Sequence, residues 1–221
     1  MTAQVATNAA RGRFLTVEGI EGVGKTTQVA RLSQLLRERG IGHVVTREPG
    51  GTPLAERIRD IVLNHAHGET LPPTAELLLM FAARAVHLAN HIEPNLADGR
   101  WVVCDRFTDA TYAYQGGGRR LSMQTIAQLE VMVQGTRRPD LTLLLDAPVE
   151  QALQRARLRN AGAAADRFES ERVEFFERVR AVYLSRAAAD AGRIAIIDAT
   201  QSAAAVSAEI LRLLEARSWI S

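Results

Sequence analysis

Residues 14–27, FLTVEGIEGVGKTT, constrain this chain more than any other stretch. An apolar run with strand character passes directly into a turn in which Gly19 is followed, after four residues, by Gly24, Lys25 and Thr26. That spacing, with a strand before it and a helix after, is the phosphate-binding P-loop pattern. The glycines let backbone N–H groups turn inward on phosphate oxygens, and the following helix adds the positive end of its dipole. Lys25 is expected to reach the β and γ phosphates of ATP, and the Thr26 hydroxyl to hold a magnesium ion. The ATP-binding loop then comprises Gly19, Ile20, Glu21, Gly22, Val23, Gly24, Lys25, Thr26 and Thr27. Every other one of the 27 basic residues is arginine. The single lysine stands where a P-loop needs a compact, strongly hydrated point charge.

A P-loop needs a sheet to carry it, and five apolar runs supply one: 13–18, 43–47, 101–105, 141–146 and 193–198. They are continuous more than alternating, as in strands covered on both faces. Helical patterns separate them. The expected fold is α/β, a P-loop NTPase-type three-layer sandwich with a five-stranded parallel sheet, helices on both faces and the site at the strand C-terminal ends. Helices are predicted over residues 25–39, around Leu54 to Val62, from Pro73 to about His91, after Ser122, over 149–159, over about 170–188 and after Val206. A length of 221 residues fits one domain, 12–221, preceded by a flexible tail at 1–11, with a mobile lid at about 155–170 around the sequence NAGAAA.

Charge narrows the partners. A net charge of +2 gives no electrostatic footprint for nucleic acid. No stretch approaches the roughly 18 apolar residues of a membrane span, and the first residues lack a secretory signal's apolar core. Cys104 is the only cysteine, so no internal disulfide is possible, which suits a reducing cytoplasm.

The other strand ends carry the chemistry. The third closes on Asp105-Arg106, which puts an acid and an arginine together at the sheet's C-terminal edge: the arginine fork suits a bound phosphate, and the aspartate either orients that fork or joins a magnesium shell through water. The second closes on TREPGGT, with Arg47 and Glu48 at the turn entrance and Arg59 on the helix beyond it. A second anion would be held there.

Taken together, GIEGVGKTT, TREPGGT, LLMFAARAVHL, CDRFTDATYAYQGGGR, RPDLTLLLD, and DRFE followed by IIDAT resemble bacterial thymidylate kinase. The resemblance runs from about Phe14 to the final helix. It implies phosphoryl transfer from ATP to thymidine monophosphate, giving thymidine diphosphate, and typically a homodimer. It also implies residue roles: Arg106 on the acceptor phosphate, with Arg59, Arg47 and Glu48 around it, and Arg84 on the thymine carbonyl. Thr111 and Gln115 match positions at the edge of the base, Tyr114 the aromatic that crowds the sugar 2′ position, and Glu21 an acid directed at the deoxyribose hydroxyl. The family stacks thymine on a phenylalanine four residues before the arginine. Here that position is Met80, with Phe81 one later, and either returns to the same helix face.

The loop carries no arginine between its glycines, and the bacterial type that lacks one draws it from the lid. Arg159, Arg155 and Arg157, in that order, are the candidates for stabilising transferred charge, while Arg167 is expected to be tied to Asp166 and Glu169. His65 and His67 lack the further ligands of a metal site. Two other readings fit a P-loop in this setting: a kinase for a different nucleoside monophosphate, and a non-catalytic nucleotide-binding module.

Overall fold

The computed structural model describes residues 11–64, 70–159, 168 and 171–220, with the Arg159 side chain left out. Five strands, β1 (Phe14–Glu18), β2 (His43–Arg47), β3 (Trp101–Asp105), β4 (Leu141–Asp146) and β5 (Ile194–Asp198), form one parallel sheet in the order β2-β3-β1-β4-β5. They coincide with the predicted apolar runs to within one residue at each end. Side chains of adjacent residues leave a strand on opposite faces. Accordingly Leu15, Val17 and Val103 join one apolar cluster, and Phe14, Val102 and Cys104 another. Both faces of the sheet are therefore covered, which is why the strands read as unbroken apolar runs.

The helices are α1 (Lys25–Glu38), α2 (Pro53–Asn64), α3 (Pro73–His87), α4 (Glu93–Ala97), α5 (Thr108–Thr111), α6 (Met123–Gln134), α7 (Val149–Arg159), α8 (Val173–Ala189) and α9 (Ala203–Ala216). Helix α1 buries Gln28, Val29, Leu32 and Leu36, three- and four-residue spacings that keep one stripe on the sheet. Ser122 caps α6 as expected, its hydroxyl accepting from the Thr125 N–H at 3.3 Å.

Two helical segments depart from expectation. The third predicted helix runs on to His91, but after His87 it widens into a π-type turn, residues Leu88–Ile92. A stretch read only as motif, residues 108–118, is helical throughout, with α5 widening into the π-type turn Tyr112–Gly118. Its GlyGlyGly run reads as a loop in sequence, yet α8 packs on it: a Cβ at Gly118 would lie 2.4 Å from the Phe175 ring. Glycine here serves close approach.

Parallel register brings the functional strand ends together. Val17 lies opposite Asp105, and Asp105 opposite Arg47. The Arg106 N–H donates to the Val17 carbonyl at 3.0 Å and the Glu48 N–H to the Asp105 carbonyl at 2.9 Å. Three motifs far apart in sequence thus share one edge. The tail at 1–10, His65, His67, Arg167 and most of the expected lid lie outside the described residues.

Candidate active site

The loop after β1 is built against α7, where a Cβ at Gly22 would stand 1.8 Å from the Ala152 carbonyl oxygen. At its end Gly24 takes a left-handed conformation (φ 95°) and α1 begins. Lys25 folds back, donating through Nζ to the carbonyls of Ile20 at 2.8 Å and Gly19 at 3.1 Å. Burial, reinforced by the neighbouring Arg106, lowers its pKa to about 8 against the pull of Asp105, Glu21 and Glu18. A bound polyphosphate supplies negative charge that favours the ammonium form. Thr26 and Thr27 are exposed at the helix start.

Arg106 sits beside this loop in a left-handed conformation (φ 70°), which a bulky residue keeps only when its surroundings hold it there. They do so from both ends. Arg106 Nη1 donates to the Gly19 carbonyl at 2.8 Å and to the Tyr183 hydroxyl at 3.3 Å, and Nη2 to Glu21 Oε1 at 2.6 Å. The guanidinium lies 4.8 Å from the Tyr114 ring centre. The backbone just beyond is pinned by Glu18, whose Oε1 accepts the Phe107 N–H at 2.7 Å while Oε2 accepts the Tyr183 hydroxyl at 2.8 Å. Complete burial raises the Glu18 pKa to about 8, with Asp109 adding to the rise and Arg106 opposing it.

Glu21, an oddity in a phosphate loop, is explained by its partners. Burial pushes its pKa up, but Arg106 and Lys25 outweigh burial and hold it below the usual carboxylate range. Its second oxygen accepts from the Tyr114 hydroxyl at 2.7 Å.

A pocket adjoins Arg106, lined by Glu21, Glu48, Pro49, Arg59, Leu63, Met80, Arg106, Ala110, Tyr114, Gln115 and Phe168. One edge is a buried polar chain. Arg84, 1% exposed, donates from Nε to Glu48 Oε2 at 2.8 Å and from Nη2 to Thr111 Oγ1 at 2.9 Å. Glu48 Oε1 meets His87 Nδ1 at 3.0 Å, and His87 Nε2 meets Thr46 Oγ1 at 2.7 Å. Gln115 donates from Nε2 to Glu76 Oε1 at 2.8 Å. Two buried polar atoms of this group find no partner among the described residues: Arg84 Nη1 and Gln115 Oε1. A buried guanidinium N–H and a buried amide oxygen left open are costly unless something else meets them.

Met80 and Phe81 separate. Met80 lines the pocket, whereas Phe81 packs with Leu77, Tyr112 and Ile126 and lies 4.9 Å beneath the Arg84 guanidinium. Met80, one turn before Arg84 on α3, faces the pocket, and Phe81 is rotated off it.

Arg59 donates to the Pro49 carbonyl at 2.9 Å, and Arg47 is held by Glu56 at 2.9 Å while lining the space beside Thr26, Lys25 and Asp105. Of the lid candidates, Arg155 turns to the far strand end, donating to the carbonyls of Ala199 at 2.7 Å and Thr200 at 3.3 Å. Arg157 is exposed, and the Arg159 side chain lies outside the described residues. Sequence reasoning missed Glu18, Glu76, His87, Arg119 and Tyr183, which hold the site's side chains from behind.

The geometry is thus a cluster of cationic side chains at the P-loop, next to a pocket lined by Gln115, whose Oε1 is unpartnered, and by Glu48, which holds Arg84. Comparison with known proteins agrees. A sequence model of the family described as thymidylate kinase matches residues 17–210. The chain belongs to the thymidylate kinase family. It is 59% identical over 210 residues to a thymidylate kinase of Chromohalobacter salexigens, covering 94% of this chain and 98% of that one. It is 55% identical over 205 residues to one of Teredinibacter turnerae, covering 93% and 98%. The crystal structure of thymidylate kinase from Ehrlichia chaffeensis superposes with a TM-score of 0.74 at 32% identity, covering 93% of this chain and 99% of that one.

Among the described residues no group of three or more His, Cys, Asp or Glu side chains could cage a metal. The donors at hand are the Thr26 hydroxyl and the Asp105 carboxylate, which line one pocket. Hard oxygens in such small number suit magnesium, which keeps several waters and takes the rest of its shell from substrate phosphates.

Proposed function

We propose that this enzyme transfers the γ-phosphoryl group of ATP to thymidine monophosphate, forming ADP and thymidine diphosphate, with the residues described above in the following roles. The single observation that carries the acceptor reading is the open pair Arg84 Nη1 and Gln115 Oε1. A donor and an acceptor are what the O4 and N3–H of thymine require.

Lys25 leaves its own loop carbonyls for the β and γ phosphates, and the backbone N–H groups of residues 19–27 cradle the rest of the polyphosphate. Arg106 holds the acceptor phosphate, exchanging its contacts with Gly19 and Glu21 for phosphate oxygens, with Arg59 and Arg47 adding charge. Glu21 and Tyr114 face the deoxyribose, Met80 packs on the base through its sulfur, and Thr111 and Glu48 fix Arg84. Thr26, with Asp105 through water, would hold magnesium, which when bound neutralises charge on the β and γ phosphates.

The acceptor needs no general base. Its second ionisation lies near pH ~6 by analogy with phosphorylated side chains, so it is already a dianion at neutral pH. What the chain supplies is position and relief of repulsion between two anions. Closure of the segment 155–170, carrying Arg157 and Arg159, adds positive charge and excludes water; the contacts of Arg155 to Ala199 and Thr200 make it the weakest of the three candidates.

Exposed Leu78, Met123, Val131 and Met132 on α3 and α6 support a homodimer. A cytoplasmic setting fits the lone buried cysteine. No described helix is long and apolar enough to cross a membrane.

The test is product analysis by ³¹P NMR. With ATP, magnesium and thymidine monophosphate, ADP and thymidine diphosphate should appear in equal amounts, and omission of the monophosphate should leave ATP intact. Slow ATP hydrolysis that thymidine monophosphate does not stimulate would instead favour a nucleotide-dependent switch.

A further inference from the structure

The amide of Gln115 is fully buried and has two chemically different ends, one a donor and one an acceptor. Which end faces the pocket decides which base edge it can meet. Thymine and uracil present an N3–H donor beside the O4 acceptor; cytosine presents a bare N3 acceptor beside an amino donor. An amide in one orientation suits the N3–H, and turned by half a rotation it suits the bare N3.

The orientation is fixed from behind by Glu76. Its side chain is fully buried on α3, and its carboxylate accepts from Gln115 Nε2 at 2.8 Å. Arg119 donates to the same carboxylate from Nε, at 3.4 Å to Oε1 and 3.3 Å to Oε2. Arg119 is itself held by an ion pair with Glu171 and lies 5.4 and 5.0 Å from the ring centres of Phe168 and Phe175. An ion-paired carboxylate offers acceptors only. Turning the Gln115 amide would set two oxygens against each other at hydrogen-bond distance in a buried site, so Nε2 must face Glu76 and Oε1 must face away from it. That is the oxygen left without a partner in the pocket wall.

We propose that Glu76 is a specificity-determining positioning residue, which, braced by Arg119, holds Gln115 so that its acceptor end faces the base and cytosine is refused. The inference rests on Gln115 being a base contact, as set out above. Glu76 touches no substrate and acts only through the amide.

Substitution of Glu76 by Gln keeps the size of the side chain but gives Gln115 a neighbour that can donate as well as accept, so the amide is free to turn. The measurement is kcat/KM with ATP for dTMP, dUMP and dCMP. In E76Q the dTMP:dCMP ratio should fall about tenfold or more, since the mismatch at N3 is relieved while that between Arg84 and the cytosine amino group remains. The dTMP:dUMP ratio should hold, because those bases share the same polar edge and differ in a methyl group, and KM for ATP should hold as well.

The double variant E76Q/Q115E should restore the dTMP:dCMP ratio. A carboxylate at 115 presents an oxygen to the base whichever way it turns, while the pair still contains one acid and one amide. It therefore also serves if the single variant does not fold. Equal losses for all three monophosphates in E76Q would reduce Glu76 to a structural role and overturn the proposal, as would failure of the double variant to discriminate. Gln115→Leu separates the underlying reading from the proposal. A lowered ratio in Q115L beside an unchanged one in E76Q sinks the proposal alone, and an unchanged ratio in Q115L sinks the base contact with it.

Discussion

The two halves of the site are built differently. On the acceptor side, Glu48, Arg84, His87 and Thr111 are buried and joined by hydrogen bonds, and Gln115 is buried and bonded to Glu76, with two atoms left open. On the donor side, Thr26 and Thr27 are exposed, Lys25 rests on carbonyls of its own loop, and Arg155 turns away to the carbonyls of Ala199 and Thr200. The contrast follows from what each half must recognise under the proposed roles. A base edge is distinguished by fixed donors and acceptors in a dry wall, where a wrong partner leaves a buried group unpaired. A polyphosphate is recognised by charge and backbone N–H groups, and its contacts must be remade in each turnover.

Breaking the donor side should cost rate above all. Lys25→Ala removes the point charge on the transferred group, and turnover should fall on the order of 10³-fold or more in a coupled ADP-release assay. Arg106→Ala comes next and strikes the junction of the halves: KM for dTMP should rise about 100-fold while ATP, followed by equilibrium titration, still binds. Loss of ATP binding in that variant would remove Arg106 from the acceptor side. Among Arg155→Ala, Arg157→Ala and Arg159→Ala, one should show a dominant loss in kcat, about tenfold or more, with Arg155 the mildest. Three equal, mild effects would refute a single lid arginine.

The smallest effect concerns stability. The folded pKa of Glu18, about 8, lies above the unfolded value of 4.5. Between these values the folded state binds the extra proton, so the stability this contributes is whole below pH 4.5 and is lost as pH rises towards 8. The groups facing Glu18 are Asp109, Arg106, Tyr183 and the Phe107 N–H. Glu18→Gln imitates the protonated acid. The melting temperature of the native protein should therefore decline relative to that of E18Q across this window, and a constant gap would contradict the assignment.

Much of this was legible in sequence. The strands were, because burial on both faces writes them as unbroken apolar runs, and so were the strand-end motifs, because a parallel sheet can only deliver them to one edge. Residues 108–118 were not read as helix, since three glycines there look like a loop until α8 is seen packed on them. The bracing residues were harder, because each acts through a partner distant in sequence. One signal was available: Glu76, Met80, Arg84 and His87 fall at spacings of four, four and three, a polar stripe with one methionine on an otherwise apolar helix. Such a stripe on a buried helix must face either a ligand or other polar groups, and here it faces polar partners and, at Met80, the pocket. The choice between Met80 and Phe81 turns on a rotation of one residue about α3, which periodicity alone does not resolve.

The claim that ties the halves together is that the buried pocket selects thymidine monophosphate for the P-loop to phosphorylate. Steady-state kinetics with ATP and a panel of dTMP, dUMP, dCMP, dGMP and UMP test it most directly. The account predicts the highest kcat/KM for dTMP, with dUMP next and dCMP far below. Preference for UMP or dGMP would contradict it.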